Sequence, residues 1–105
     1  MLSIFNYSEE REIAAVLVLQ LNKYLPPANV SADGMAKVSV NKITRALEQL
    51  YVEAERRLKH RKMGFIRRSI LANAFKWKLK ETGYAAEFVD VATEGLVMAM
   101  SKRNK

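Results

Sequence analysis

Apolar residues recur at steps of three and four along most of this chain, and that spacing predicts helices throughout. In the first segment Ile13, Leu17, Leu21 and Tyr24 make the main face. Asn6 or Ser8 can cap it, Glu9, Glu10 and Glu12 suit the positive end of its dipole, and Leu-Pro-Pro at 25–27 stops it near Tyr24. Ala15, Val16 and Leu19 make the opposite side apolar too. A helix apolar nearly all round needs cover on both sides, which predicts a central place in the fold. The other ways to cover Val16 and Leu19 are a homodimer or a heterologous apolar partner.

Residues 26–37 have the Pro, Asn, Asp and Gly content of a loop, with room for one short helical turn. Ile43, Leu47, Leu50, Ala54 and Leu58 then predict a second helix from about Asn41 to at least Arg61. At roughly 100° per residue, Arg57 and Arg61 fall close to the same apolar line, so the stripe turns basic at its end. The acids that could receive them inside the fold are Glu87, Asp90 or Glu94.

A third helix is expected from Phe65 to Thr82, opened by a break at Gly64 and closed by Gly83. It has two apolar arcs, Ile66, Ile70, Ala74 and Trp77 on one side and Leu71, Ala72, Phe75 and Leu79 on the other. Phe65 and Phe75 are expected in the core, while Trp77 belongs to the arc that competes for burial. The fourth helix, about Ala85 to Ser101, has Tyr84, Phe88, Val91, Ala92, Leu96 and Ala99 on one side and Glu87, Asp90 and Glu94 on the other. The end of the chain, 102–105, is expected to fray. The fold class that follows is all-α: one domain, an irregular four-helix bundle with long second and third helices packed around the first.

Charge sharpens this picture. The net charge is +7, and its distribution is uneven: residues 1–55 contribute −2, residues 56–80 contribute +10 with no acid at all, and residues 81–105 contribute −1. A polyanionic partner, nucleic acid or an acidic protein, would relieve the mutual repulsion of those ten cations. With no cysteine there is no disulfide framework or thiolate nucleophile, and the apolar run at 13–21 is too short to span a bilayer, so a cytoplasmic protein without a membrane partner is expected.

Catalytic patterns are missing from the sequence. His60 is the only histidine, no acid lies three or four residues from it, and the four glycines are too scattered for a phosphate loop. No metal or cofactor is expected, and neither is an enzyme.

Binding is the remaining chemistry. Arg56, Arg57, Lys59, Arg61, Lys62, Arg67 and Arg68 are candidates for neutralising phosphates, with Ser69, Asn73, Lys76 and Lys80 extending the contact along one helical strip. The same strip could equally be an ordinary solvated face. Residues 38–50, VSVNKITRALEQL, resemble the second helix of bacterial helix-turn-helix transcriptional regulators through Val38, Ser39, Ile43, Arg45, Ala46, Leu47 and Leu50. That resemblance implies that Asn41, Lys42 and Arg45 face DNA. The expected function is a small regulatory or accessory factor that binds nucleic acid, DNA first. The alternative is an adaptor or inhibitor that docks an acidic or apolar protein.

Overall fold

The computed structural model describes residues 7–30, 39–59 and 63–103. Four helices account for most of them: α1 (Ser8–Tyr24), α2 (Val40–Arg57), α3 (Phe65–Thr82) and α4 (Ala86–Arg103). A single 3-10 turn, Pro27–Asn29, supplies the helical turn in the loop after α1. No β-strand occurs among the described residues, so the fold is all-α.

The helix ends follow local chemistry. Tyr7, not Ser8, is the cap residue of α1 and makes no side-chain cap bond, while Asn6 lies outside the described residues. Ser39 caps α2 by accepting a hydrogen bond from the Lys42 amide at 3.2 Å. Gly83 closes α3 with φ at 107°, a conformation that costs a residue with a β-carbon.

The second helix is shorter than its apolar stripe predicts, ending at Arg57 rather than running to Arg61. Carried on as a helix, the chain would place Met63 opposite the Leu50, Ala54 and Leu58 line, facing solvent. Bending after Arg57 lets Leu58 and Met63 both enter the core. As a result the four helices are nearly equal, with 17 residues in α1 and 18 in each of the others. The fourth runs to Arg103, into the basic tail.

In cross-section the helices occupy four corners. α1 packs on α2 and α3, α4 packs on the same two, and the diagonal pairs α1/α4 and α2/α3 touch little. The first helix is therefore not central. Ile13, Ala14, Leu17, Val18 and Leu21 are buried, Val16 is half-buried, and Leu19 is 68% exposed. Two ties fix α1 and α3 as parallel neighbours: Arg67 Nη1 donates to Glu10 Oε2 near their N-terminal ends, and Tyr84 Oη donates to the Leu25 carbonyl at 2.6 Å beyond their C-terminal ends.

The core is Leu17, Leu21, Leu50, Leu71, Phe75, Leu79 and Leu96 with smaller neighbours, all almost fully buried. Of the two phenylalanines expected in it, one falls elsewhere, and Trp77, whose arc competes for burial, is on the surface. Phe75 is buried, but Phe65, in the first turn of α3, is 75% exposed. Trp77 is 55% exposed and Ile66 on the same arc is exposed too, while Ile70 and Ala74 between them are half-buried, Ala74 against the core. Val91 is also exposed, since it lies roughly 120° from the direction that Phe88, Val89, Ala92, Leu96 and Met100 share.

Candidate nucleic-acid interface

The bend after α2 returns the chain to the end of the bundle where α1 begins, α3 begins and α4 finishes. Arg56, Arg57 and Lys59 from α2 and its turn share that end with Arg67 and Arg68 of α3 and Lys102 of α4. Arg61 and Lys62, with His60, lie outside the described residues. The described cations nearest the Gly64 break, Arg56, Arg57 and Lys59 before it and Arg67 and Arg68 after it, thus gather at one end.

Several of these cations already have work inside the fold. Glu53 accepts from Arg56 Nε at 3.1 Å and Nη2 at 2.6 Å, and from Arg57 Nε at 2.7 Å. The Arg56 bonds first, and those of Arg57 with them, hold the Glu53 carboxyl below its ordinary range. Arg57 therefore pairs within its own helix, and not with Glu87, Asp90 or Glu94 of α4. Both arginines also suit the negative end of the α2 dipole.

The start of α3 has the opposite electrostatics. Gly64 gives no side-chain cap, the first turn holds no acid, and Arg67 and Arg68 stand there at the positive end of the dipole. Arg67 is offset by Glu10, whose carboxylate is 1% exposed and bonded to it at 2.9 Å, and its guanidinium also lies 5.5 Å over the Tyr7 ring. Arg68 has weaker compensation: Nη1 reaches Ser101 Oγ at 3.5 Å, and Nε is buried without a hydrogen-bond partner. An anion at this end would relieve both the charge and the dipole.

The predicted strip on α3 does not join this end. Ser69, Asn73 and Lys80 are exposed and Lys76 is half-buried, but Lys80 stands 13 residues beyond Arg67, about 20 Å along the helix. Its ammonium lies 4.9 Å from the Trp77 ring centroid.

Two further surfaces come from the way the helices pair. The side of α3 that carries Ile70, Ala74 and Trp77 and the side of α1 that carries Ala14 and Ala15 lie together, forming a groove of about 440 Å³. Ala14, Ala15, Ile70 and Ala74 line it with Tyr7 and Trp77, and Arg11, Asn73, Lys78 and Glu81 edge it. The sequence signal was present as two separate apolar arcs; only the parallel pairing of α1 with α3 makes them one surface. On the far side, Tyr24, Lys42, Arg45, Ala46 and Gln49 surround a shallow hollow of about 170 Å³ between α1 and α2. Lys42 and Arg45, which the helix-turn-helix resemblance selects, are exposed there, as is Asn41 on the same helix.

These surfaces offer charge, hydrogen-bond donors and apolar contact. Among the described residues no group of three His, Cys, Asp or Glu could hold a metal ion, and no helix is long and apolar enough to cross a membrane. No protein-family model, curated protein or solved structure matches the chain.

Proposed function

We propose that this protein is a small, non-enzymatic nucleic-acid-binding factor of regulatory or accessory type, with DNA its preferred partner. The observation that carries this reading is the start of α3, where Arg67 and Arg68 sit at the positive end of a helix that has no side-chain cap and no acid in its first turn; Arg67 pairs with buried Glu10 and lies over Tyr7, while Arg68 reaches only Ser101. Arg67 there answers the buried Glu10, but Arg68 has no acid beside it among the described residues, and a phosphate would supply the missing charge. Lys59 and the exposed guanidinium of Arg56 add to the same end, and the resemblance of residues 38–50 to helix-turn-helix regulators agrees with DNA as the partner.

Binding of a labelled duplex is expected at about 100 mM salt, with log affinity falling steeply against log salt. Replacing Lys59, Arg61 and Lys62 by Ala lowers that slope by about 0.9 for each phosphate left unneutralised, about 3 in all. A wild-type protein that leaves duplex and single strands unbound at that salt sinks the proposal.

The α1/α3 groove favours a second reading, a protein-interaction module. Its apolar lining beside Leu19 fits an apolar segment of a partner, acidic where it meets Arg11 and Lys78, or a second copy of the chain. Because Leu19 is exposed, Leu19→Glu leaves the fold intact. A change of mass on a sizing column with that variant supports an interface through Val16 and Leu19; an unchanged monomer removes the homodimer.

A further inference from the structure

The groove between α1 and α3 has an aromatic wall toward each end, Tyr7 at one and Trp77 at the other. Arg67 lies over Tyr7 and Trp77 follows it by ten residues, so a rise of about 1.5 Å per residue sets the walls roughly 15 Å apart along the axis. Alanines make the floor between them, Ala14 and Ala15 from α1 and Ala74 from α3. Side chains that small leave depth, and a volume of about 440 Å³ lies within the usual range of a ligand pocket, roughly 300–1,000 Å³. The space suits a flat, largely apolar group.

Both aromatic walls carry a cation. The Arg67 guanidinium lies 5.5 Å from the Tyr7 ring centroid, and the Lys80 ammonium lies 4.9 Å from that of Trp77. At roughly 100° per residue Lys80 stands about 60° round α3 from Trp77, on the side away from Ala74, so it backs the ring without filling the groove. With Arg67 offset by Glu10, the cations Arg11, Lys78 and Lys80 remain against a single acid of the lining, Glu81. The balance around the groove is positive. Asn73 adds an exposed side-chain amide at its edge, donor and acceptor together.

A base splayed from a single strand has what these groups ask for: a flat face for Tyr7 or Trp77 to stack on, an edge for Asn73 to pair with, and phosphates for the flanking cations. A duplex does not offer it, because its base faces are stacked on one another. An apolar peptide would use the alanine floor, but it has neither a flat face for each ring nor a charge repeated along its backbone. We infer that the α1/α3 groove binds single-stranded nucleic acid, its bases entering between Tyr7 and Trp77. The inference rests on the nucleic-acid reading above and adds to it a site that only an unpaired strand can use.

Trp77 is the only tryptophan of the chain, so its emission reports on the groove directly. The full chain is titrated with an oligodeoxythymidine of about 20 nucleotides, longer than one site needs, and with a DNA duplex of the same length. The single strand should quench Trp77 saturably, and the duplex should not. Fluorescence anisotropy of the same strand, labelled with fluorescein, then compares two variants. Trp77→Ala removes a stacking partner and should weaken single-strand binding at least about fivefold, while Trp77→Phe should keep it within about threefold. Because Trp77 is 55% exposed, both should keep the circular dichroism of the wild type, and neither should alter affinity for the duplex. Strand binding without quenching, or an affinity that Trp77→Ala leaves unchanged, would overturn the groove site while leaving nucleic-acid binding intact. Quenching by an acidic, leucine-rich peptide and not by the strand would overturn it in favour of a protein partner, and an emission shift on dilution of the protein alone in favour of a second copy. If neither strand nor duplex binds, the underlying reading falls as well.

Discussion

Gly95 tests the packing on which the α2/α4 contact depends. In mid-helix a glycine is expected to be a weakness, and replacing it with alanine ordinarily adds about 1 kcal/mol of stability. Here the backbone of α4 is crossed by the ring of Tyr51, whose hydroxyl donates to the Ala92 carbonyl at 2.9 Å. A β-carbon on residue 95 would stand 2.8 Å from Tyr51 Cε2 and nearer still to Cζ and Oη. The ring would have to leave. Displacing it forfeits a hydrogen bond worth about 1 kcal/mol and adds an overpacking cost of about 1–3 kcal/mol. Against the helix-propensity gain, Gly95→Ala should therefore destabilise the protein by about 1–3 kcal/mol.

Urea denaturation followed by circular dichroism measures this directly, and a double-mutant cycle isolates the cause. With Tyr51→Ala already in place the steric conflict is gone, so Gly95→Ala should change sign and stabilise by about 0.5–1 kcal/mol. The coupling between the two sites is then about 1.5–4 kcal/mol. If Gly95→Ala stabilises the wild type, or costs the same in both backgrounds, Tyr51 is not what requires the glycine and the α2/α4 packing is wrong.

Two further outcomes follow from buried polar groups. Glu10 is 1% exposed and Arg67 is its partner, so Arg67→Ala strands a buried carboxylate, whereas Glu10→Gln leaves a neutral amide beside a guanidinium that water can reach; the urea midpoint should fall much further for the first variant than for the second. Burial pushes the hydroxyls of Tyr51 and Tyr84 up to about 12 from an ordinary 10.0. Raised values mean that stability is complete below pH 10 and is lost as pH climbs from 10 toward 12, on the order of 2 kcal/mol for each residue. Absorbance at 295 nm should show their ionisation late and together with unfolding; a full tyrosine step near pH 10 in folded protein contradicts it.

The helices were legible because their signals are local. Apolar steps of three and four, Ser39 ahead of α2, and Gly64 and Gly83 around α3 act through the nearest few residues, and α3 begins and ends where they put it. What was not legible depends on which helices become neighbours. Arg57 lies on the line of the apolar stripe, yet it finds Glu53 one turn back before any acid of α4 comes within reach. Phe65 has the right residue type for the core but is 75% exposed at the start of α3, on the rim of a hollow with Arg68, Val97 and Met100. The second apolar side of α1 asks for a central helix, because the sequence shows how much apolar surface a helix has and not whether a neighbour reaches it. The basic end was half legible: its charge could be counted, but the internal partners Glu10 and Glu53 could not be assigned without the fold.

Those partners change how the charge is to be weighed. Arg56, Arg57 and Arg67 each answer to an acid of the chain, so the full +10 of residues 56–80 overstates what an outside anion would meet. The outward side of α2 keeps Lys42 and Arg45 exposed, whereas Arg56 there is held by Glu53. Geometry also separates it from the apolar groove. α2 and α3 stand on a diagonal, so a ligand on the outward side of α2 and one seated over Trp77 approach the bundle from different directions. The basic start of α3, by contrast, meets that groove at Tyr7, which lines it and lies under the Arg67 guanidinium, so an anion there and a partner in the groove would be neighbours.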